Sequence, residues 1–378
     1  MEWEKVYRLV ENIDVVGIIY LWKYEDNYNS LYQRLLELRR EHYAPNQKIV
    51  VIHENDDYYY HGNPTGFIIH NLMNVVEHLN ISPSSLIFLS PHHNLESGLA
   101  PFITDNDRPT FINTLVGLSG SRSLLDLCDC SIEKNIEQNA LCLLGTVRRH
   151  RVLLYQLMSM YNCFESIDVN FNSKNAPLNH HTNQSSNKII DPALGPVKNL
   201  GIVYSTPHRI NDDWAKYLRP PELSLAIREN VPESQTHPNL HGEIPDFYNR
   251  YGIDIVVETG FDYPLPYVTE KTWRPLMLQA PFVLVGPAGA LKALHRYGFK
   301  TFDDLWDESY DDILDPQCRL LACANVIKEI SSWPLQQVKD AYAHVYDRLI
   351  QNRLAIREYL DNVYPTVYNS LKVKISNL

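Results

Sequence analysis

Residues 254–286 read DIVVETGFDYPLPYVTEKTWRPLMLQAPFVLVG. The run 253–257 is short and mostly apolar, the pattern of a buried strand. A second such run, 281–285, is stopped by Gly286. Between them, residues 270–278 carry helical spacing. Thr269 stands where an N-cap belongs, since its hydroxyl can accept a bond from an amide that the first turn leaves unpaired. Strand, irregular loop, helix and strand in that order make a βαβ unit of a parallel sheet.

In such sheets ligands collect outside the carboxyl ends of the strands. The first helical turn offers free N–H groups and the positive end of the helix dipole, which suits phosphate. Lys271 and Arg274 also lie near that end, where cations oppose the dipole. A bound anion such as a nucleotide pyrophosphate would account for them. Glu270 could then accept hydrogen bonds from ribose hydroxyls, as carboxylates do in dinucleotide sites. A solvated helix start with ordinary surface charges is the competing reading.

Glu258, the run Tyr267-Val268-Thr269-Glu270-Lys271 and the run Pro281-Phe282-Val283-Leu284-Val285-Gly286 together resemble the donor-binding motif of the α1,3-fucosyltransferase type of glycosyltransferase. Downstream, Leu291-Lys292-Ala293-Leu294, Tyr297-Gly298-Phe299-Lys300-Thr301-Phe302 and Asp307-Glu308-Ser309-Tyr310-Asp311 are similar to runs in phage, giant-virus and bacterial glycosyltransferases that share this core. The turn Gly145-Thr146-Val147-Arg148-Arg149-His150-Arg151 is similar to the Arg-x-His-Arg turn of that group, with Gly145-Thr146 where relatives often carry Asn-Arg.

The resemblance implies a GT-B-like α/β fold: two Rossmann-like, doubly wound domains facing a central cleft, with C-terminal helices crossing back to the first domain. It implies transfer of a sugar from a nucleotide-diphosphate sugar to an acceptor hydroxyl, inverting and metal-independent, with no cofactor beyond the donor substrate. Tyr267, Glu270 and Lys271 match the family's donor contacts, with Glu270 on the ribose and Lys271 on the phosphates. Glu258 would orient the loop or touch the sugar. Arg148, Arg149 and Arg151 would complete the grip on the diphosphate, a task for which arginine is suited by its bidentate geometry. Thr269 and Arg274 complete the expected donor-binding set; a basic surface turn is the alternative for the arginines.

The rest of the chain fits this frame. At 378 residues it is long enough for two cores. The expected division is an N-terminal Rossmann-like acceptor domain (1–139), a donor domain (140–334) and a helical segment packing back on the first domain (335–378). In the first part, strands are expected at 14–22, 48–53, 85–90 and 110–118, with helices at 27–41 and 67–79. In the second, the strand ALCLL (140–144) leads to a helix ending at Met160. A polar excursion follows over 170–187, then a short strand (199–204) and a short helix (223–230). Further helices are expected at 288–297, 316–331 and 335–360. Alternating strands and helices imply parallel sheets.

A formal charge of −11 argues against a large nucleic-acid surface. Hydroxylated bases in DNA stay as a less favoured acceptor, and a catalytically inactive nucleotide-binding module as a different class of protein. No run is apolar for the length a bilayer requires. MEWEKVYRLVENIDVVGIIYLW has acids ahead of its apolar run and does not read as a signal peptide. The six cysteines do not make a disulfide framework in so long a chain, so the expected setting is the cytoplasm, a host's if the protein is viral.

Transfer needs a base for the acceptor hydroxyl, expected from the N-terminal domain. Glu54, Asp56 and Asp57 follow the strand KIVVIH, and His93 follows SLIFLS. A carboxylate serves if burial or a neighbouring charge raises its pKa; hydrated loop acids are the plainer reading of the same residues. Asp105-Asn106-Asp107 has a metal-binding pattern but turn-like flanks, and no metal site is assigned.

Overall fold

In a computed structural model of the chain, the structure describes residues 15–20, 28–42, 48–52, 68–90, 95, 99, 103–104, 107–113, 133–145, 149–171, 246–262, 266 and 268–376. They form an α/β protein with two four-stranded parallel sheets. The chain divides into two compact units, residues 1–122 with 359–378, and residues 123–358.

The first unit's sheet contains β1 (Val15–Tyr20), β2 (Lys48–Ile52), β3 (Leu86–Ser90) and β4 (Thr110–Asn113). Every residue of β2 and β3 is buried, which is why KIVVI and LIFLS read as near-continuous apolar runs rather than alternating ones. Helix α1 (Tyr28–His42) buries Leu31, Leu35 and Leu38 at helical spacing, and α2 (Ile68–His78) buries Leu72, Met73, Val75 and Val76. The two helices pack on one another.

The strand order is β1-β2-β3-β4, so the described strands step outward in one direction. Among the described strands of this sheet the order does not reverse, whereas a doubly wound sheet reverses its order. Alternating elements specify parallel strands; they do not encode on which side each crossover lands.

Helix α2 ends in a Schellman motif. The amide of Ile81 donates to Val76 O and that of Asn80 to Glu77 O, both at 2.9 Å, with Asn80 left-handed at φ 51°. Asn tolerates this conformation and most L-residues do not. Asn80→Ala is therefore expected to cost about 1 kcal/mol and Asn80→Gly to be neutral or better, read by urea denaturation. Equal losses in both variants would contradict this assignment.

The second unit's sheet contains β5 (Gln138–Gly145), β6 (Ile167–Phe171), β7 (Tyr251–Val257) and β8 (Phe282–Val285), in the order β6-β5-β7-β8. The chain starts in β5, steps to β6 on one side, then to β7 on the other side, then outward to β8. This sheet does reverse, between β5 and β7. β6 was not expected: it is a short strand, outermost among the described strands, in which Ile167, Asp168 and Val169 are all buried and Asp168 accepts the Tyr251 hydroxyl.

Helices α3 (Arg149–Met160) and α4 (Glu270–Met277) follow β5 and β7. Right-handed crossovers in opposite directions put such helices on opposite faces. Then come α5 (Ala290–Arg296), α6 (Pro316–Ser331) and α7 (Leu335–Ser376). α7 runs beyond the expected residue 360 and through Pro365, because buried Leu360 and Val367 hold the helix on both sides of one missing N–H. Gly252 in β7 has no room for a Cβ beside the side chain of Val338 on α7. The expected strand 199–204, the helix 223–230 and the excursion from residue 172 onward lie outside the described residues. No helix among the described residues is long and apolar enough to cross a membrane.

Candidate functional site

The reversal between β5 and β7 is the place where an open parallel sheet forms a crevice at its carboxyl edge. Two strand-to-helix turns meet there: β5 runs into α3, and β7 runs through Glu258 towards α4.

Glu258 joins them. It is fully buried, and its carboxylate accepts bonds from the Thr269 amide (2.9 Å), the Thr269 hydroxyl (2.7 Å) and the Thr272 hydroxyl (2.5 Å). Its carbonyl oxygen lies 2.9 Å from His150 Nε2 at the start of α3. A carbonyl can only accept, so that ring nitrogen carries the hydrogen. Next to it, Arg151 Nη2 donates to Val257 O at 3.0 Å. The β7 turn is thus held from within by its own carboxylate and from the side by the first residues of α3.

Thr269 is the N-cap of α4, as its place in the sequence predicts. Its side-chain oxygen accepts the Lys271 amide at 3.4 Å. The half-buried Lys271 brings its Nζ to 3.2 Å from the same oxygen, so the ammonium stays over the first turn of the helix.

Two expected donor contacts require correction. Arg274 is in the interior and forms a bidentate pair with Asp254 of β7: Nε to Oδ2 at 3.0 Å, Nη2 to Oδ1 at 2.9 Å and to Oδ2 at 2.7 Å. Tyr248 donates its hydroxyl to the same carboxylate at 2.7 Å. Burial opposes the Arg274 charge, yet the adjacent Asp254 holds it ionised more firmly than usual. The anion that a cation near this helix start requires is therefore a protein carboxylate. Arg151 is 2 % exposed and turned under the β7 edge rather than outward. Glu258, with its carboxylate enclosed by three donors, orients the loop instead of reaching a sugar.

The other expected residues stand as follows. Lys271 and Thr269 are at the turn. Arg149 and Glu270 are described as helix backbone positions only, at the first residues of α3 and α4. Tyr267, Arg148, Glu54, Asp56, Asp57 and His93 lie outside the described residues. Asp107 accepts bonds from the Ser82 hydroxyl and, at 2.7 Å, from the Ser84 amide, so its carboxylate caps a turn of the first unit. Among the described residues no group of three or more His, Cys, Asp and Glu could hold a metal ion.

The runs around 297–311 serve the fold beneath the site. Arg348 and Asn352 lie one turn apart on α7. Arg348 clasps Thr301 O (2.7 Å) and Asp304 (2.6 and 2.8 Å). Asn352 meets both the amide and the carbonyl of Lys300 (2.9 and 2.8 Å). Asp311 accepts the amides of Leu291 and Lys292 at the start of α5, and Glu308 accepts the amide of Phe302. From α6, the buried Arg319 donates to the carbonyls of Phe261 (2.6 Å) and Gly286 (3.1 Å), tying the ends of β7 and β8 together.

Sequence reading assigned no role to Asp254 and Tyr248, which hold Arg274 in the interior, or to Thr272 and His150, which bond to Glu258. A signal for the first was present: a charge in the middle of the apolar run IDIVV must find a buried partner. Compared with protein-family models, with curated proteins and with solved structures, the chain matches none.

Proposed function

We propose that the protein is a glycosyltransferase, moving a sugar from a nucleotide-diphosphate sugar to an acceptor hydroxyl. The observation that carries this reading is that Glu258, at the reversal between β5 and β7, ties the first residues of α3 to the N-cap of α4, where Lys271 lies. A diphosphate at that edge would meet the positive end of the α4 dipole, the Lys271 ammonium and the arginines Arg148 and Arg149. Fixed charges of this kind offset the charge that develops on the leaving nucleoside diphosphate. Glu270 is assigned to the ribose hydroxyls and Tyr267 to the donor.

The GT-B-like arrangement and the inverting outcome belong to the same proposal. So does the acceptor-side base, drawn from Glu54, Asp56, Asp57 and His93 of the first unit. A carboxylate or imidazole there would take the acceptor proton as the new bond forms.

The test is turnover. Purified protein offered a panel of nucleotide sugars, with and without hydroxylated acceptors, should release nucleoside diphosphate from at least one of them. Lys271→Ala should slow that release by about 100-fold or more, the size of effect expected when a preorganised charge is removed from a transition state. Release from no donor, or release unaffected by Lys271→Ala, would overturn the reading. Modified duplex DNA in the acceptor panel separates base glycosylation from transfer to glycans.

A further inference from the structure

The chain leaving β7 is buried although it is neither helix nor strand over residues 258–261. Buried backbone outside a ladder still needs partners for its carbonyls. Two helices supply them. Arg151 and His150 of α3 donate to Val257 O (3.0 Å) and Glu258 O (2.9 Å), and Arg319 of α6 donates to Phe261 O (2.6 Å). The Phe261 side chain adds a second set of contacts. The His150 imidazole stacks on its ring, with centroids 5.3 Å and planes 20° apart, and the Arg319 guanidinium lies 4.5 Å from the ring centre. His150, Phe261 and Arg319 are all buried.

Glu258 is where this segment reaches the proposed diphosphate site. Its carbonyl takes the His150 bond, and its carboxylate takes the Thr269 amide and hydroxyl and the Thr272 hydroxyl. Thr269 in turn keeps Lys271 Nζ at 3.2 Å. One residue thus faces α3 with its main chain and α4 with its side chain.

We propose that His150 is a positioning residue for the diphosphate site: its bond to Glu258 O sets where the Thr269 cap and Lys271 stand relative to the first turn of α3. The imidazole suits this task. One ring nitrogen donates to the carbonyl while the ring face packs on Phe261, so packing fixes the direction in which the N–H points. The effect on ligand binding rests on the proposed donor site; the effect on the turn belongs to the unliganded protein.

Two variants of the full chain separate the bond from the stack. His150→Phe keeps a ring face for Phe261 and loses the donor; His150→Gln keeps a donor and loses the ring. Exchange protection of the Thr269 amide, without ligand, should fall about tenfold in His150→Phe, the worth of one net hydrogen bond, and be retained in His150→Gln. Unchanged protection in His150→Phe, or a loss in His150→Gln as large, would overturn the proposal. Calorimetric affinity for inorganic pyrophosphate and for uridine, guanosine, adenosine and cytidine diphosphates gives the second arm. The affinity of whichever of these binds should fall about tenfold in His150→Phe, and by much less when Lys271 is already Ala, because residues that act through one another are not additive. A full tenfold loss in the Lys271→Ala background as well would overturn the positioning role. No binding by the unmodified chain would count against the glycosyltransferase reading, while the exchange result would still decide the place of His150. Should His150→Phe fail to fold, the unmodified protein decides: a slowly exchanging imidazole N–H resonance with Overhauser contacts to the Phe261 ring supports the bond, and an imidazole N–H in fast exchange with water refutes it.

Discussion

Arg274→Met is expected to lower the unfolding free energy by about 3–5 kcal/mol, among the larger effects open to a single substitution. The cost comes from what is left behind. Asp254 is 1 % exposed in the middle of β7, and without the guanidinium it would keep only the Tyr248 hydroxyl. A buried carboxylate in that position is an uncompensated charge.

Asp254→Leu alone should cost a comparable amount, by stranding Arg274. The double variant Asp254→Leu/Arg274→Met should cost distinctly less than the two singles added, because an apolar pair of similar volume removes both charges at once. Urea denaturation of the four proteins measures the coupling. Additive losses, or a single loss under about 1 kcal/mol, would show that the pair is not the seam between α4 and β7 described above.

The second large effect is at Glu258. Glu258→Ala removes the acceptor of three donors: the Thr269 amide and the hydroxyls of Thr269 and Thr272. Each unpaired buried donor costs about 1–3 kcal/mol, but the hydroxyls can rotate towards other acceptors, so the expected total is about 2–4 kcal/mol. Glu258→Gln keeps one acceptor oxygen and turns an NH₂ towards a donor, so its loss should be intermediate. Both variants should also release the Thr269 cap and with it the position of Lys271. A Glu258→Ala protein as stable as the unmodified one would remove Glu258 from its place as the tie between the two turns.

Much of the second unit was legible because its signals are local. Apolar runs mark β7 and β8, and a hydroxyl ahead of EKTW marks the α4 cap. Asp315 ahead of Pro316 marks the start of α6, where its carboxylate accepts the Cys318 amide. The bonds that build the site edge are not local. Asp254 and Arg274 are twenty residues apart in chain and meet only because α4 folds back over β7. His150 reaches Glu258 across more than a hundred residues, through strand pairing that periodicity does not encode.

Strand order was illegible for the same reason. The described strands of one sheet step outward and those of the other reverse, although both units were read from the same pattern of strands and helices. Arg274 shows the limit of a charge argument made on one element: a cation at a helix start does need an anion, and here the sheet supplies it. Thr269 and Lys271 were read from the pattern of one turn and are found on that turn.

The measurement closest to the central claim is calorimetric titration of nucleoside diphosphates into the unmodified protein and Lys271→Ala, with Lys339→Ala, an exposed lysine on α7, as control. A diphosphate gripped at the β5–β7 edge predicts saturable binding that falls about tenfold or more in Lys271→Ala, with unliganded stability unchanged and the control unaffected. Identical affinity in all three proteins, or no binding by the unmodified chain, would contradict it.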